Sequence, residues 1–148
     1  SDKIAFFDEL HDRGVHIVWG HHPHVLQSWH LEKGETGSRL SLYSTGNFIS
    51  GQTWRLDPLD TKSVRTPTGE SALFRVTVIS TLRGPRITPV EPIPIANYKH
   101  PEFGMIVLPL EDLARDPSLE PAWRDFYLTR LWETKIITHD AGIGNIVP

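Results

Sequence analysis

The opening of the chain constrains its fold most. Ile4, Phe7 and Leu10 recur at helical spacing, with Ser1 suited to the N-cap. Arg13-Gly14 ends that pattern, and glycine suits the position just past a helix. The apolar run Val15-His16-Ile17-Val18-Trp19 follows at once and predicts a buried strand. A helix that feeds directly into a buried strand is half of a βαβ unit, the mark of an α/β sheet. Loops at the ends of such strands are where α/β proteins hold their chemistry.

The loop that follows is Gly20-His21-His22-Pro23-His24, with three of the chain's eight histidines in five residues. Neutral imidazole is the commonest protein ligand for transition metals, so the cluster points to a metal site. Pro23 steers His22 away from the α region and predicts an extended His22-Pro23-His24 segment. In such a segment residues two apart face the same way, so His22 and His24 would offer two nitrogens together. His21 would face elsewhere, into the core or toward a supporting role. The competing reading is a solvated, histidine-rich turn.

Further along, Val25–Leu31 reads as an extended piece, Lys33–Ser38 as a turn and Arg39–Ser44 as a returning strand. Leu40 and Leu42 then share one face, with Ser41 and Tyr43 on the other. Thr45-Gly46-Asn47-Phe48-Ile49-Ser50-Gly51 predicts a tightly turned backbone, with Asn47 either near the site or simply a left-handed turn residue. Residues 52–70 lack apolar periodicity and predict a surface loop, either a flap or a solvated insertion. Ser71–Ser80 alternates as a half-exposed strand. Arg86–Ile95 reads as its antiparallel partner, demoted to an edge or irregular strand by Pro89, Pro92 and Pro94. Glu111–Arg115 predicts a helical turn. Residues 118–136 predict a C-terminal helix capped by Ser118, with Trp123, Phe126, Tyr127, Leu131 and Thr134 as its buried stripe.

Composition narrows the chemistry. At 148 residues, 39% apolar and 22% charged, the chain has the balance of one globular domain. A net charge of −3 without a Lys/Arg run gives no footprint for nucleic acid or an anionic membrane. The absence of cysteine removes disulfides, thiolate catalysis and Cys-ligated zinc. No apolar run approaches the ~20 residues needed to cross a bilayer.

Val18-Trp19-Gly20-His21-His22-Pro23-His24-Val25-Leu26-Gln27, followed by Leu42-Tyr43-Ser44-Thr45-Gly46-Asn47-Phe48-Ile49, resembles the bacterial capsule synthesis protein CapA (PGA-cap) family. Those poly-γ-glutamate biosynthesis proteins are related to the calcineurin-like metallophosphoesterases. Thr45 stands at a position usually apolar in the family. The resemblance implies part of a four-layer αββα sandwich with a largely antiparallel C-terminal sheet. Residues 1–148 would then be the C-terminal part of a single CapA-like domain. The superfamily's histidine pair maps onto His22 and His24 as metal ligands. Its earlier Asp-x-His, bridging Asp and Asn-His motifs have no counterpart here. Asp8, His11 and Asp12 lie on the opening helix rather than at strand ends and do not replace them.

The resemblance therefore implies two divalent metal ions (Mn, Fe or Zn), with the other ligands on an N-terminal half of the same domain. It implies phosphoesterase-type hydrolysis of an anionic small molecule or polymer in the cell envelope, outside the cytoplasm. His21 and Asn47 are the catalytic candidates, by hydrogen bonding near the metals. Gln27 and Arg55 are weaker candidates. A different class, a non-catalytic component of a polymer synthesis or export complex, fits the same motifs. A mononuclear site built by these histidines alone would need His21 or His139 as a third ligand.

Overall fold

A computed structural model describes residues 2–52, 56–60, 63 and 66–139. Ser1, Trp54 and Arg55 lie outside the described residues, as does much of the expected loop over 52–70.

Helix α1 (Asp2–Asp12) forms as its apolar spacing demands. Gly14, at φ +92°, ends it, and the amide of Val15 donates to the Leu10 carbonyl (3.1 Å). Strand β1 (Ile17–Trp19) is shorter than expected. It lies at the edge of a mixed three-stranded sheet, parallel to β3 (Gly37–Leu42), which pairs antiparallel with β2 (Trp29–Gly34). The expectation of a buried strand is corrected here. Val18 is buried, but Ile17 and Trp19 are exposed, because an edge strand has neighbours on one side only.

The β2–β3 hairpin turns through Glu35-Thr36, with Gly34 opposite Gly37. Its alternation sorts the faces as expected. On one side Phe7 and Tyr43 pack with ring centroids 5.1 Å apart, and His11 Nε2 lies 2.8 Å from Ser41 Oγ, so α1 covers this face. On the other side Trp29, Leu40 and Leu42 form a cluster with Ile87 of the second sheet. Each such large apolar side chain contributes about 1.5–3 kcal/mol by leaving water.

The second sheet is antiparallel, in the order β4 (Glu70–Ile79), β5 (Arg86–His100), β6 (Gly104–Pro109). Strand β5 is central rather than an edge, and the irregularity expected of it is present as the register shift beside Pro89. Its prolines are still placed where proline is tolerated. Strand β6 pairs only from Ile95 onward, so Pro92 and Pro94 lie where β5 has β4 alone as neighbour. Thr88 and Pro89 lie opposite Thr77 in a bulge, where the register shifts between Val76 and Val78. Strand β6 itself was not legible from sequence.

Helices α2 (Leu110–Arg115) and α3 (Pro121–His139) close the chain. The last helix starts three residues later than expected. The Glu120 carbonyl receives the amides of Trp123 and Arg124, Pro121 occupies the first helical position, and the Ser118 hydroxyl is used by Asp116 instead. The expected stripe is present: Phe126, Tyr127, Leu131 and Thr134 are buried, and Trp123 packs against their cluster. That cluster includes Ala96, which is two residues along β5 from Pro94 and four from Pro92, the latter opposite Phe74. Alternation therefore puts α2 and α3 on the same face of the second sheet as β2 and β3, toward the other end of its strands. Trp29 Nε1 donates to the Thr138 carbonyl (2.8 Å) and ties the end of α3 to β2.

Candidate functional site

The histidine loop begins where β1 ends. Gly20 is required there, because a Cβ would stand 2.7 Å from Phe7 Cζ and 2.7 Å from the Tyr43 carbonyl oxygen. Its amide donates to the Leu42 carbonyl (2.7 Å) and carries the β1–β3 pairing into the loop. The loop then rejoins the sheet, with Leu26 bridged to Thr45 and the Gln27 amide on the Ser44 carbonyl (2.9 Å).

Between these anchors the backbone is not extended. His22 has φ +109° and His24 φ +60°, both in the region that side chains disfavour. The extended His-Pro-His expectation is corrected: the loop must turn to bring Leu26 back beside Thr45. Two strained non-glycine residues in three cost about 1–3 kcal/mol each, and such strain clusters at functional sites. The turn still gathers the rings. Centroids of His22 and His24 lie 6.4 Å apart, and those of His21 and His24 lie 5.8 Å apart.

The second family segment forms the floor. Gly46 has φ +77°, and a Cβ there would stand 2.8 Å from the Glu70 carbonyl oxygen. This loop is pinned to β4: Gly46 bridges Ser71, the Ala72 amide donates to the Thr45 carbonyl (3.1 Å), and the Ser71 hydroxyl donates to the same oxygen. The Trp19 indole N–H donates to Thr45 Oγ1 (3.2 Å), which gives this buried hydroxyl a partner.

His21 Nε2 lies 3.0 Å from the Gly46 carbonyl oxygen, so this nitrogen donates to the floor rather than facing outward. His24 Nδ1 lies 2.9 Å from Asn47 Oδ1. Asn47 is buried, and its Nδ2 donates to Gln52 Oε1 (3.0 Å) and to the Thr68 carbonyl (3.1 Å). Asn47 is thus a buried partner of His24, not a left-handed turn residue; Gly46 and the two histidines hold the positive φ values. His24, Pro23, Gln52 and Thr68 line a cleft of about 290 Å³.

Sequence reasoning missed two parts of this arrangement. Asn97 of β5 is buried, donates to the Asn47 carbonyl (3.0 Å) and receives the Ser50 amide (2.8 Å). Behind the floor, Glu70 and Arg130 form a buried ion pair, with Glu133 on the second side of the guanidinium. Burial pushes the Glu70 carboxyl above its ordinary range, and Arg130 pulls it partly back. A lone Asn in a strand and an Arg in an aromatic stripe carry no motif. Their roles depend on what the fold sets opposite them.

Other candidates fall away from the loop. Gln27 Oε1 receives Lys3 Nζ (3.1 Å) and so links to α1. His139 ends α3. Arg55 is outside the described residues. Among the described residues no group of three or more His, Asp or Glu side chains converges to hold a metal ion. The histidine loop fits part of a donor set: imidazole nitrogens, one ring held from its other nitrogen by a carboxamide oxygen.

Residues 1–52 match the family described as bacterial capsule synthesis protein PGA_cap. That span contains both segments on which the resemblance was read. Capsule biosynthesis protein CapA of Bacillus anthracis is 46% identical over 43 residues, covering 29% of this chain and 10% of that protein. The chain thus matches about a tenth of the length of this relative. No solved structure matches.

Proposed function

We propose that this chain belongs to the machinery of capsule or cell-envelope polymer metabolism and contributes to a metal-dependent hydrolase of the phosphoesterase type. The observation that carries the reading is His24 at a strand end, backed by buried Asn47, inside the segment matching PGA_cap. His22 and His24 would each hold one divalent ion (Mn, Fe or Zn) through a ring nitrogen. When bound, such ions supply an activated water and charge to stabilise a phosphoryl group. The chain's own part is to orient: His21 anchors the loop to Gly46, and Asn47 anchors His24. The remaining ligands would come from an N-terminal half of the same domain, to which residues 1–148 add the C-terminal part. The substrate class is an anionic small molecule or polymer, with no role for nucleic acid. The likeness to a capsule biosynthesis protein supports a cell-envelope location. No described helix is long and apolar enough to cross a membrane.

The four-layer αββα arrangement belongs to this proposal. It is supported by the succession of α1, the mixed sheet and the antiparallel sheet. Helices α2 and α3 lie on the inner face of the second sheet, so a fourth layer would have to come from other residues.

Metal content of the intact protein, with the N-terminal half of the domain present, together with hydrolysis of bis(p-nitrophenyl) phosphate, tests the reading. Bound divalent metal and turnover that both fall in His24→Ala are expected. Intact protein that takes up no divalent metal would sink it. The absence of a three-donor group among the described residues favours a second reading, a non-catalytic component of a polymer synthesis or export complex. Polymer binding without metal or turnover would select it.

A further inference from the structure

We propose that Asn47 is a positioning residue that locks His24 in the tautomer protonated at Nδ1, leaving Nε2 as the ring's lone-pair donor. The inference rests on the reading of His24 as a metal ligand and names the atom that ligates.

The donors and acceptors around Asn47 allow one arrangement. Asn47 has one acceptor atom, Oδ1, and one NH₂ with two hydrogens. Two groups lie within reach of the NH₂: Gln52 Oε1 at 3.0 Å and the Thr68 carbonyl at 3.1 Å. The Gln52 amide can be turned, but the Thr68 carbonyl can only accept. A flipped Asn47 would set its own oxygen against that carbonyl, leaving two acceptors face to face at a residue that is 5% exposed. The carboxamide orientation is therefore fixed by a main-chain atom. The residue's backbone is fixed as well, since its carbonyl receives Asn97 Nδ2 (3.0 Å).

With that orientation set, the atom 2.9 Å from His24 Nδ1 is an oxygen, and an oxygen acceptor requires a hydrogen on Nδ1. A neutral imidazole carries one hydrogen, so Nε2 is bare. Neutral imidazole with one nitrogen bare and the other donating to a carbonyl-type oxygen is the state metal-binding histidines adopt. His21 is the contrast within the same loop. Its Nε2 faces the Gly46 carbonyl and must carry the hydrogen there, so His21 holds the opposite tautomer. Two neighbouring histidines are thus sorted into different roles by one glycine–asparagine step: the Gly46 carbonyl accepts a hydrogen bond from His21 Nε2, and Asn47 Oδ1 accepts one from His24 Nδ1.

Long-range ¹H–¹⁵N correlation spectra of the full chain, metal-free and above the imidazole titration range, test this without any variant. Expected is a protonated Nδ1 and an unprotonated Nε2 for His24, assigned by loss of its signals in His24→Gln, and the reverse pattern for His21. A His24 signal protonated at Nε2 would overturn the proposal. In Asn47→Ala the His24 signals should shift toward a mixture of tautomers, and the Mn²⁺ affinity of the intact domain, with its N-terminal half present, should fall by about 10–100-fold by calorimetry. Unchanged Mn²⁺ affinity in a variant whose tautomer has shifted would also overturn it. An intact wild-type domain with the expected tautomers but no Mn²⁺ uptake would instead defeat the proposed function and leave the tautomer assignment standing.

Discussion

Gly46 and Gly104 allow backbone strain and steric contact to be separated in one experiment. Their conformations nearly coincide, at φ +77° and φ +73°. Alanine in this region costs about 1–2 kcal/mol for its Cβ alone. At Gly104 an added Cβ meets nothing within 4 Å, so Gly104→Ala should cost only that amount. At Gly46 the same Cβ would lie 2.8 Å from the Glu70 oxygen, 3.2 Å from Ser71 Cα and 3.3 Å from the Leu26 nitrogen, all main-chain atoms of paired segments. None can swing aside as a side chain does, so overpacking adds about 1–3 kcal/mol more. Gly46→Ala should therefore cost about 2–5 kcal/mol in all. At roughly 2–4 °C per kcal/mol for a chain this long, the thermal midpoint should drop clearly further than for Gly104→Ala. Urea denaturation of both variants, compared at equal m-value, measures the difference. Equal destabilisation of the two would refute the reasoning, since it would mean that β4 does not press on the floor of the site. In Gly46→Ala the displaced loop should also carry Asn47 away from His24.

Four further outcomes follow from named residues. His22→Gly relieves a φ of +109° and should leave stability unchanged or raise it by about 1 kcal/mol, while weakening metal uptake; calorimetry showing a loss above 1 kcal/mol would contradict the strain. Arg130→Met removes one side of a buried ion pair and should cost about 3–5 kcal/mol near neutral pH, read as a shift in denaturation midpoint. Glu70 has a folded value raised above its unfolded one, so its contribution favours folding most at low pH and is lost as pH rises through the raised value. Glu70→Gln should accordingly flatten the fall in thermal midpoint with rising pH above the ordinary carboxylate range, and an unchanged pH slope would exclude Glu70 as its source. Trp29→Phe deletes the indole donor to Thr138 and should cost about 1–3 kcal/mol; unaltered stability would mean that α3 does not depend on this tie.

The elements that could be read from sequence are those whose pattern is local. Helix α1 and its glycine stop, the β2–β3 hairpin with Leu40 and Leu42 on one face, and the alternation of β4 all come from periodicity within a few residues. Strand β6 was missed because Met105-Ile106-Val107-Leu108 is a short continuous apolar run that does not alternate, half-buried from Gly104 to Leu108. The prolines of β5 were read for what they forbid. They do fall where β6 is absent, yet the strand continues past them to become central.

The site divides along the same line. Sequence alone singled out His21, His22, His24 and Asn47, and two motifs within residues 1–52 pointed to the PGA_cap family, because residue type and order are properties of the chain itself. It could not give the left-handed turns at His22 and His24, since these follow from Leu26 having to return to Thr45. Nor could it show that Asn47 is buried between Gln52, Thr68 and Asn97 with its oxygen left for His24. Hydrogen-bond direction depends on which groups the fold brings opposite one another across 21 to 50 residues of chain, and only the tertiary structure sets those partners.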